Sequence, residues 1–221
     1  MDSLRDAREV IVALGRRLYE RGLLAGTDGN LSIRLADGSI LVTPSGAAKG
    51  FLAPDSLVVV DAEGRQLSGA HRPSSECAMH LAVYRARPDV GACVHSHAPH
   101  ATAFAVAGEP LPEDILPEVV LFVGPIALAG YAPPGTDAVP ASLTPFFRDH
   151  NAFLLQNHGL LTLGADPEEA YNRHETVEHY ARILLLARQL GTIARIPDED
   201  FRRLTDLRRR SAQPWAGGSG R

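Results

Sequence analysis

The chain has 221 residues, of which 45% are hydrophobic and 22% are charged, and its formal net charge is −4. These values are typical of a folded globular protein and exclude disordered and fibrous classes. A slightly acidic chain lacks the basic field that attracts nucleic acid or an anionic membrane, and no apolar run approaches the roughly 20 residues of a membrane span. We therefore expect a cytoplasmic protein with no nucleic-acid or membrane partner.

The first half of the chain predicts alternating helices and strands. Ser3 can cap a helix whose apolar positions repeat every three or four residues as far as Gly22. Apolar and polar residues alternate on both sides of Asp37-Gly38, which predicts a β-hairpin from residues 31–35 and 40–43.

Further elements follow the hairpin. Residues 57–60 predict a strand, and Ser74-Ser75 predict the start of a helix that ends before Pro88. Strands are expected at residues 90–95, 119–128 and 152–156. Helices are expected at residues 99–108, 142–150, 167–191 and around 201–207, the third of them capped by Asp166. Residues 1–210 are expected to form one domain, with a flexible tail at 211–221.

The pair His95 and His97 is the sharpest chemical feature of the sequence. Residues two apart on an extended chain point to the same side, so both imidazoles can reach one metal ion. His158 follows another apolar strand and could converge on the same point if the two strands are neighbours. Three neutral imidazoles with an open position are typical of a catalytic zinc site or a related divalent site. An HxH pair also occurs by chance in loops.

Small polar residues cluster at three turns that could bind an anion. Ser74 and Ser75 stand at a helix start, where backbone N–H groups are free to bind an anion. Glu76 beside them is either a site residue or simply a carboxylate that the helix dipole favours at the N-terminus. The other two turns lie at residues 27–30 and 43–46. Lys49, the one lysine of the chain, is expected to be exposed or to contact an anion.

Other potential site residues are interpreted as structural. His174 and His179 are five apart, which on a helix separates them by about 140°, so we expect them on a solvated helix face. Cys77 and Cys93 are expected to be buried small hydrophobes. The sequence around Lys49 lacks the order of a Walker A loop, which disfavours a nucleotide triphosphatase.

Five motifs occur in the order Asp28-Gly29-Asn30-Leu31-Ser32, Thr43-Pro44-Ser45-Gly46, Ser74-Ser75-Glu76, His95-Ser96-His97 and Asn157-His158-Gly159. Together they resemble the class II aldolase/adducin family over residues 4–191. The resemblance implies an α/β fold, namely an α/β/α sandwich around a mostly antiparallel central sheet. It also implies a homotetramer with active sites between neighbouring subunits.

The resemblance also implies roles for single residues. Zn²⁺, or another divalent cation such as Mn²⁺ or Co²⁺, would be bound by His95, His97 and His158. Glu76 would be the catalytic acid/base and a fourth ligand in the empty enzyme. The substrate phosphate would be bound by Asn30, Ser45, Gly46, Ser74 and Ser75.

Glu118 departs from the aldolase pattern. It stands where the aldolases have a tyrosine that reaches in from the adjacent subunit, and a carboxylate there is closer to decarboxylases and dehydratases of the family. The expected reaction is metal-dependent cleavage of a ketose 1-phosphate, such as a fuculose or 5-deoxyribulose 1-phosphate, to dihydroxyacetone phosphate and an aldehyde through an enediolate. Glu76 would move the proton, and Glu118 would act on the distal hydroxyl.

Two alternatives stay open. The same site could catalyse sugar-phosphate 4-epimerisation, decarboxylation or dehydration, since these reactions share the enediolate. A non-enzymatic, adducin-like interaction module would keep the fold for binding alone, although such a module need not retain His95, His97, His158 and Glu76.

Overall fold

The computed structural model describes residues 3–211. The helices of this range are α1 Leu4–Glu20, α2 Cys77–Ala86, α3 Pro99–Ala107, α4 Ala138–Leu143, α5 Pro167–Leu190 and α6 Asp198–Ser211. The strands are β1 Asn30–Arg34, β2 Ile40–Val42, β3 Val58–Val60, β4 Gln66–Ser68, β5 Ala92–Ser96, β6 Ile126–Ala129, β7 Ala152–Leu155 and β8 Gly159–Gly164.

All eight strands form one sheet in the order β4-β3-β2-β1-β5-β8-β7-β6. The pairs are antiparallel except for β6 and β7, which run parallel. β5 lies at the centre of the sheet, and His95 on it is paired with Asn30 of β1 and with Leu161 of β8. The predicted mostly antiparallel sheet is therefore confirmed, and the elements that carry the chemical motifs are neighbours at its centre.

Helices cover both faces of the sheet. On one face, apolar residues of α1, α3 and α5, such as Ile11, Phe104 and Val177, pack against Leu31 and its neighbours on the strands. On the other face, α2 and α4 pack against a second buried cluster that includes Val42. This arrangement confirms the predicted α/β/α sandwich.

The helix signals in the sequence are satisfied locally. Ser3 accepts a hydrogen bond from the backbone N–H of Asp6, and Asp166 accepts one from Glu169, so both predicted N-caps are confirmed. The side chain of Asp37 accepts the N–H of Ser39 inside the predicted hairpin. The helix predicted around residues 201–207 is present as α6.

Two predicted elements need correction, and two strands were not predicted. The predicted strand at residues 119–128 is a π-helical turn at Val119–Val123 followed by the shorter strand β6. The predicted helix at 142–150 is replaced by α4 and a 3-10 turn at Thr144–Phe146, because Pro145 cannot donate the backbone hydrogen bond of a helix interior. The sequence also did not indicate β4 or β8.

Within residues 3–211, none of the helices combines the length and the apolar composition that a membrane crossing requires. The predicted flexible tail at 211–221 lies outside the described residues, apart from the backbone of Ser211 at the end of α6.

Candidate metal centre and active site

His95 and His97 stand at the end of the central strand. His95 is the penultimate residue of β5 and is fully buried, whereas His97 follows the strand directly. The turn that precedes β1 packs on this strand end, since a Cβ at Gly29 would lie 2.7 Å from the carbonyl oxygen of His95. Gly29 also has a φ of 70°, a conformation that glycine adopts without strain.

His158 reaches the same point from the turn between β7 and β8. Asn157 before it has a φ of 55°, a left-handed conformation that asparagine tolerates better than most residues. Gly159 after it lies so close to β5 that a Cβ would meet the carbonyl oxygen of Ser96 at 2.6 Å. The motif Asn157-His158-Gly159 is therefore explained by backbone geometry on both sides of the histidine.

The three imidazoles converge. One candidate ligand atom from each of His95, His97 and His158 lies within 4.8 Å of the other two. The Nδ1 atom of His95 lies 2.9 Å from the carbonyl oxygen of Leu160. A carbonyl only accepts hydrogen bonds, so Nδ1 carries the proton and the lone pair of Nε2 points into the centre.

Glu76 lies beside the three histidines, at the residue before α2. Its Oε2 is 3.3 Å from Nε2 of His95, and its Oε1 is 2.9 Å from Nε2 of His158. Asn30 donates from Nδ2 to Oε2 over 2.8 Å, which fixes the carboxylate. Burial acts to raise the pKa of Glu76, but the close approach of His158 and His95 and the charge interactions with them hold it well below its ordinary value.

These residues fit a divalent cation. The Nε2 atom of His95 and the Oε1 atom of Glu76 are buried and have no hydrogen bond of good geometry among the described residues. Buried polar atoms without partners are costly, and a cation among them would satisfy both. Three imidazole nitrogens with room for a further ligand is the donor set of catalytic zinc sites, and it also suits related first-row metals.

A cavity of about 490 Å³ opens beside the histidines. Its wall contains all the residues predicted to bind a phosphate, namely Asn30, Ser45, Gly46, Ser74 and Ser75. Glu76, His97 and His158 line the same cavity, and the buried His95 lies behind them. The three polar turns of the sequence therefore meet around one space.

Lys49 is part of this cavity and is buried, so of its two predicted environments exposure is wrong. Only 3% of its surface is exposed, and its Nζ donates to the carbonyl oxygen of Thr27. Burial lowers the pKa of this ammonium, while the charges of Asp28 and Glu76 act in the opposite direction. Lys49 therefore places a positive charge among the small polar residues of the cavity wall.

Glu118 is not among the described residues that line the cavity within one chain. It is exposed and stands directly before the π-helical turn Val119–Val123. Its assignment to the active site rests on a neighbouring subunit and stays a prediction.

The interpretation of His174 as a solvated residue is wrong, whereas His179 on the same helix is exposed as expected. His174 is fully buried, where its Nε2 lies 2.7 Å from Oγ of Ser96 and its Nδ1 lies 3.1 Å from Oγ1 of Thr162. Ser96 stands between His95 and His97, so His174 supports the strand end that carries them. The sequence contained a signal for this position, since His174 continues the helical spacing of the buried residues Tyr171 and Val177.

Cys77 and Cys93 are buried free thiols, as expected. Burial raises the pKa of Cys77 to about 11 and that of Cys93 to about 12, so both are protonated at neutral pH. Neither thiol is activated for nucleophilic chemistry.

The family model for the class II aldolase and adducin N-terminal domain matches residues 9–185. The chain belongs to this family. The match spans the elements from α1 to α5 and includes each of the three histidines and Glu76.

Relatives within the family carry out different reactions. The chain is 38% identical over 180 residues to the 3-oxo-tetronate 4-phosphate decarboxylase of Haemophilus influenzae, covering 80% of this chain and 85% of the relative. It is 33% identical over 203 residues to the 5-deoxy-D-ribulose 1-phosphate aldolase of Bacillus thuringiensis, covering 91% and 94%. A solved structure of L-fuculose 1-phosphate aldolase superposes with a TM-score of 0.84 at 32% identity, covering 91% of this chain and 95% of that one.

Proposed function

We propose that this protein is a metal-dependent lyase that cleaves a carbon–carbon bond next to the ketone of a small phosphorylated sugar. The preferred reaction is retro-aldol cleavage of a ketose 1-phosphate to dihydroxyacetone phosphate and an aldehyde. The observation that carries the proposal is the meeting of three imidazoles and Glu76 with the small polar turns in one cavity. A phosphorylated ketose needs the imidazoles and Glu76 for the chemistry at its ketone, and the polar turns to bind its phosphate.

The phosphate would bind at the small polar turns. Ser74 and Ser75 precede α2, where backbone N–H groups are available to an anion, and Gly46 allows a close approach because it has no side chain. Lys49 adds a positive charge at the same wall. The phosphate and the ketone of one substrate would then both bind in this cavity, which His97 and His158 also line.

A divalent cation held by His95, His97 and His158 would supply Lewis-acid stabilisation of the negative charge that develops on the substrate oxygens. Glu76 would exchange the proton at the carbon next to the ketone. In cleavage it would deliver that proton after the bond breaks, and in condensation it would remove it. Asn30 keeps the carboxylate oriented through its bond to Oε2.

Glu118 would complete the site from a neighbouring subunit of a homotetramer. As the C3–C4 bond of the ketose breaks, Glu118 would accept the proton of the C4 hydroxyl, and the electron pair of the bond would pass into the enediolate. Its exposed position directly before Val119 leaves the carboxylate available to a second chain.

Decarboxylation is the second candidate, and the 38% identity to a 3-oxo-tetronate 4-phosphate decarboxylase favours it. An acid of that kind has a ketone at C3 and a phosphate at C4, so loss of C1 as carbon dioxide also leaves the enediolate of dihydroxyacetone phosphate. The two reactions share the retained fragment and differ in the leaving group, which is an aldehyde in one and carbon dioxide in the other. The phosphate turns, the histidines and Glu76 would act alike in both.

The test is a product assay on the zinc-loaded protein with L-fuculose, L-rhamnulose and 5-deoxyribulose 1-phosphates and with a 3-oxo-tetronate 4-phosphate. An aldehyde released in equal amount to dihydroxyacetone phosphate supports the aldolase, and carbon dioxide released from the acid supports the decarboxylase. Full activity in excess EDTA, or a borohydride-reduced adduct at Lys49, would refute the metal-dependent scheme. A protein that binds no divalent metal ion and is inactive on every sugar phosphate would favour the interaction module instead.

A further inference from the structure

The outer nitrogens of the three histidines have different surroundings. Nδ1 of His95 faces the carbonyl oxygen of Leu160, and Nδ1 of His158 is buried without a hydrogen-bond partner among the described residues. Nδ1 of His97 lies 3.2 Å from Oδ2 of Asp28. Asp28, which also lines the cavity, is thus a carboxylate in contact with the Nδ1 atom of a histidine of the cluster.

The second oxygen of the Asp28 carboxylate, Oδ1, fixes the position of the side chain. Oδ1 accepts the backbone N–H of Ala25 over 2.8 Å, which closes the turn before β1. Only 18% of the side chain is exposed. Gly29 then packs the same turn against the backbone of His95. The turn therefore presents Oδ2 to His97 from a fixed position.

His97 needs such a partner more than His95 does. His95 lies inside the strand ladder and is fully buried, whereas His97 follows the end of β5 and its side chain is 37% exposed. A carboxylate accepts hydrogen bonds and does not donate them when ionised, so it selects the imidazole form with the proton on Nδ1. That form leaves the lone pair of Nε2 free for a cation.

We propose that Asp28 is a positioning residue of the metal centre, which holds His97 in the Nδ1–H form and aims its Nε2 at the cation. The inference rests on the proposed function, since it requires that the cluster binds a divalent cation. Glu76 and Asp28 also bring two negative charges to the surroundings of the cluster, which suits a doubly charged ion.

Asp28→Asn should weaken metal binding because it changes the tautomer of His97. If the amide oxygen keeps the N–H of Ala25, the NH₂ group faces His97 and favours the form with the proton on Nε2, which has no lone pair on Nε2 for the cation. If the amide is reversed, its NH₂ group faces the N–H of Ala25, and two donors meet. Asp28→Ser removes the contact to His97 without placing a donor there, and its hydroxyl can still accept from Ala25.

The experiment titrates each metal-free variant with Zn²⁺ against a chromophoric chelator. Asp28→Asn should bind Zn²⁺ about 10- to 100-fold more weakly than wild type, the usual effect of losing an outer-sphere partner. Asp28→Ser should lie between the two. Asp37→Asn is the matched control, because Asp37 also accepts a backbone N–H in a turn but lies in the hairpin away from the cluster, and its Zn²⁺ affinity should equal wild type.

A second readout follows the imidazole itself. Nitrogen-15 spectra of the metal-free protein should show the His97 proton on Nδ1 in wild type and on Nε2 in Asp28→Asn, and this measurement does not depend on activity. Equal Zn²⁺ affinity and an unchanged tautomer in Asp28→Asn would overturn the role of Asp28 and leave the proposed function standing. Absence of Zn²⁺ binding by folded wild type would overturn both.

Discussion

Lowering the pH from 7 to 5 should destabilise the folded chain through two buried histidines. His80 and His174 are fully buried, and burial lowers the pKa of each from 6.5 to about 3. Both are therefore neutral in the folded protein, whereas they become charged in the unfolded chain below pH 6.5. The unfolded state then binds more protons, so stability is complete above pH 6.5 and falls as the pH approaches 3.

The magnitude follows from the two pKa values. Between pH 7 and pH 5, each histidine should lower the free energy of unfolding by about 2 kcal/mol, because each pH unit below 6.5 is worth about 1.4 kcal/mol. Together they remove about 4 kcal/mol. This is a large part of the 5–15 kcal/mol that is typical of folded domains.

The assay is urea unfolding of the metal-free protein at pH 7, 6 and 5. His174→Gln should remove about half of the roughly 4 kcal/mol loss in unfolding free energy between pH 7 and pH 5. A glutamine can still hydrogen-bond to Ser96 but does not become protonated. The combination with His80→Gln should remove most of this loss. The exposed His179→Gln on the same helix serves as the control for replacing a histidine in α5. The reasoning is refuted if the double variant and wild type lose stability equally between pH 7 and pH 5.

Three further substitutions test the site. Glu76→Gln should lower kcat by about 10²- to 10⁴-fold while Zn²⁺ still binds, because it removes the proton-transfer group and leaves the histidines; unchanged kcat would contradict this role. Gly159→Ala should weaken Zn²⁺ binding, since its Cβ would lie 2.6 Å from the Ser96 carbonyl and 2.9 Å from the His97 ring, and titration with Zn²⁺ would show it. Lys49→Met should raise the KM for a phosphorylated substrate with Zn²⁺ affinity unchanged, whereas loss of Zn²⁺ binding would place Lys49 in the metal centre instead.

Much of the candidate site follows from local patterns in the sequence. The alternation of side chains along a strand places His95 and His97 on the same side, and the structure brings them together with His158. His158 lies between Asn157, which is in a left-handed conformation, and Gly159, which has no room for a Cβ. Both backbone requirements are visible in the short motif Asn157-His158-Gly159. These features depend on a few adjacent residues, which explains why they can be predicted.

The elements that were missed depend on tertiary packing. The run Val119–Val123 is apolar and rich in β-branched residues, so it resembles a strand, yet it forms a π-helical turn. The strand β8 is buried along its whole length and has no alternation that would reveal it. Asp28 faces His97 only because β1 and β5 are neighbours in the sheet, a pairing between residues about 65 positions apart.

X-ray absorption at the zinc edge of the Zn²⁺-loaded protein tests most directly whether the three imidazoles bind one cation. Wild type should bind one zinc per chain with three imidazole nitrogens at about 2.0–2.1 Å, and His158→Ala should show two. A wild-type spectrum without imidazole ligands, or one that His158→Ala leaves unchanged, would contradict the metal centre and the chemistry proposed for it.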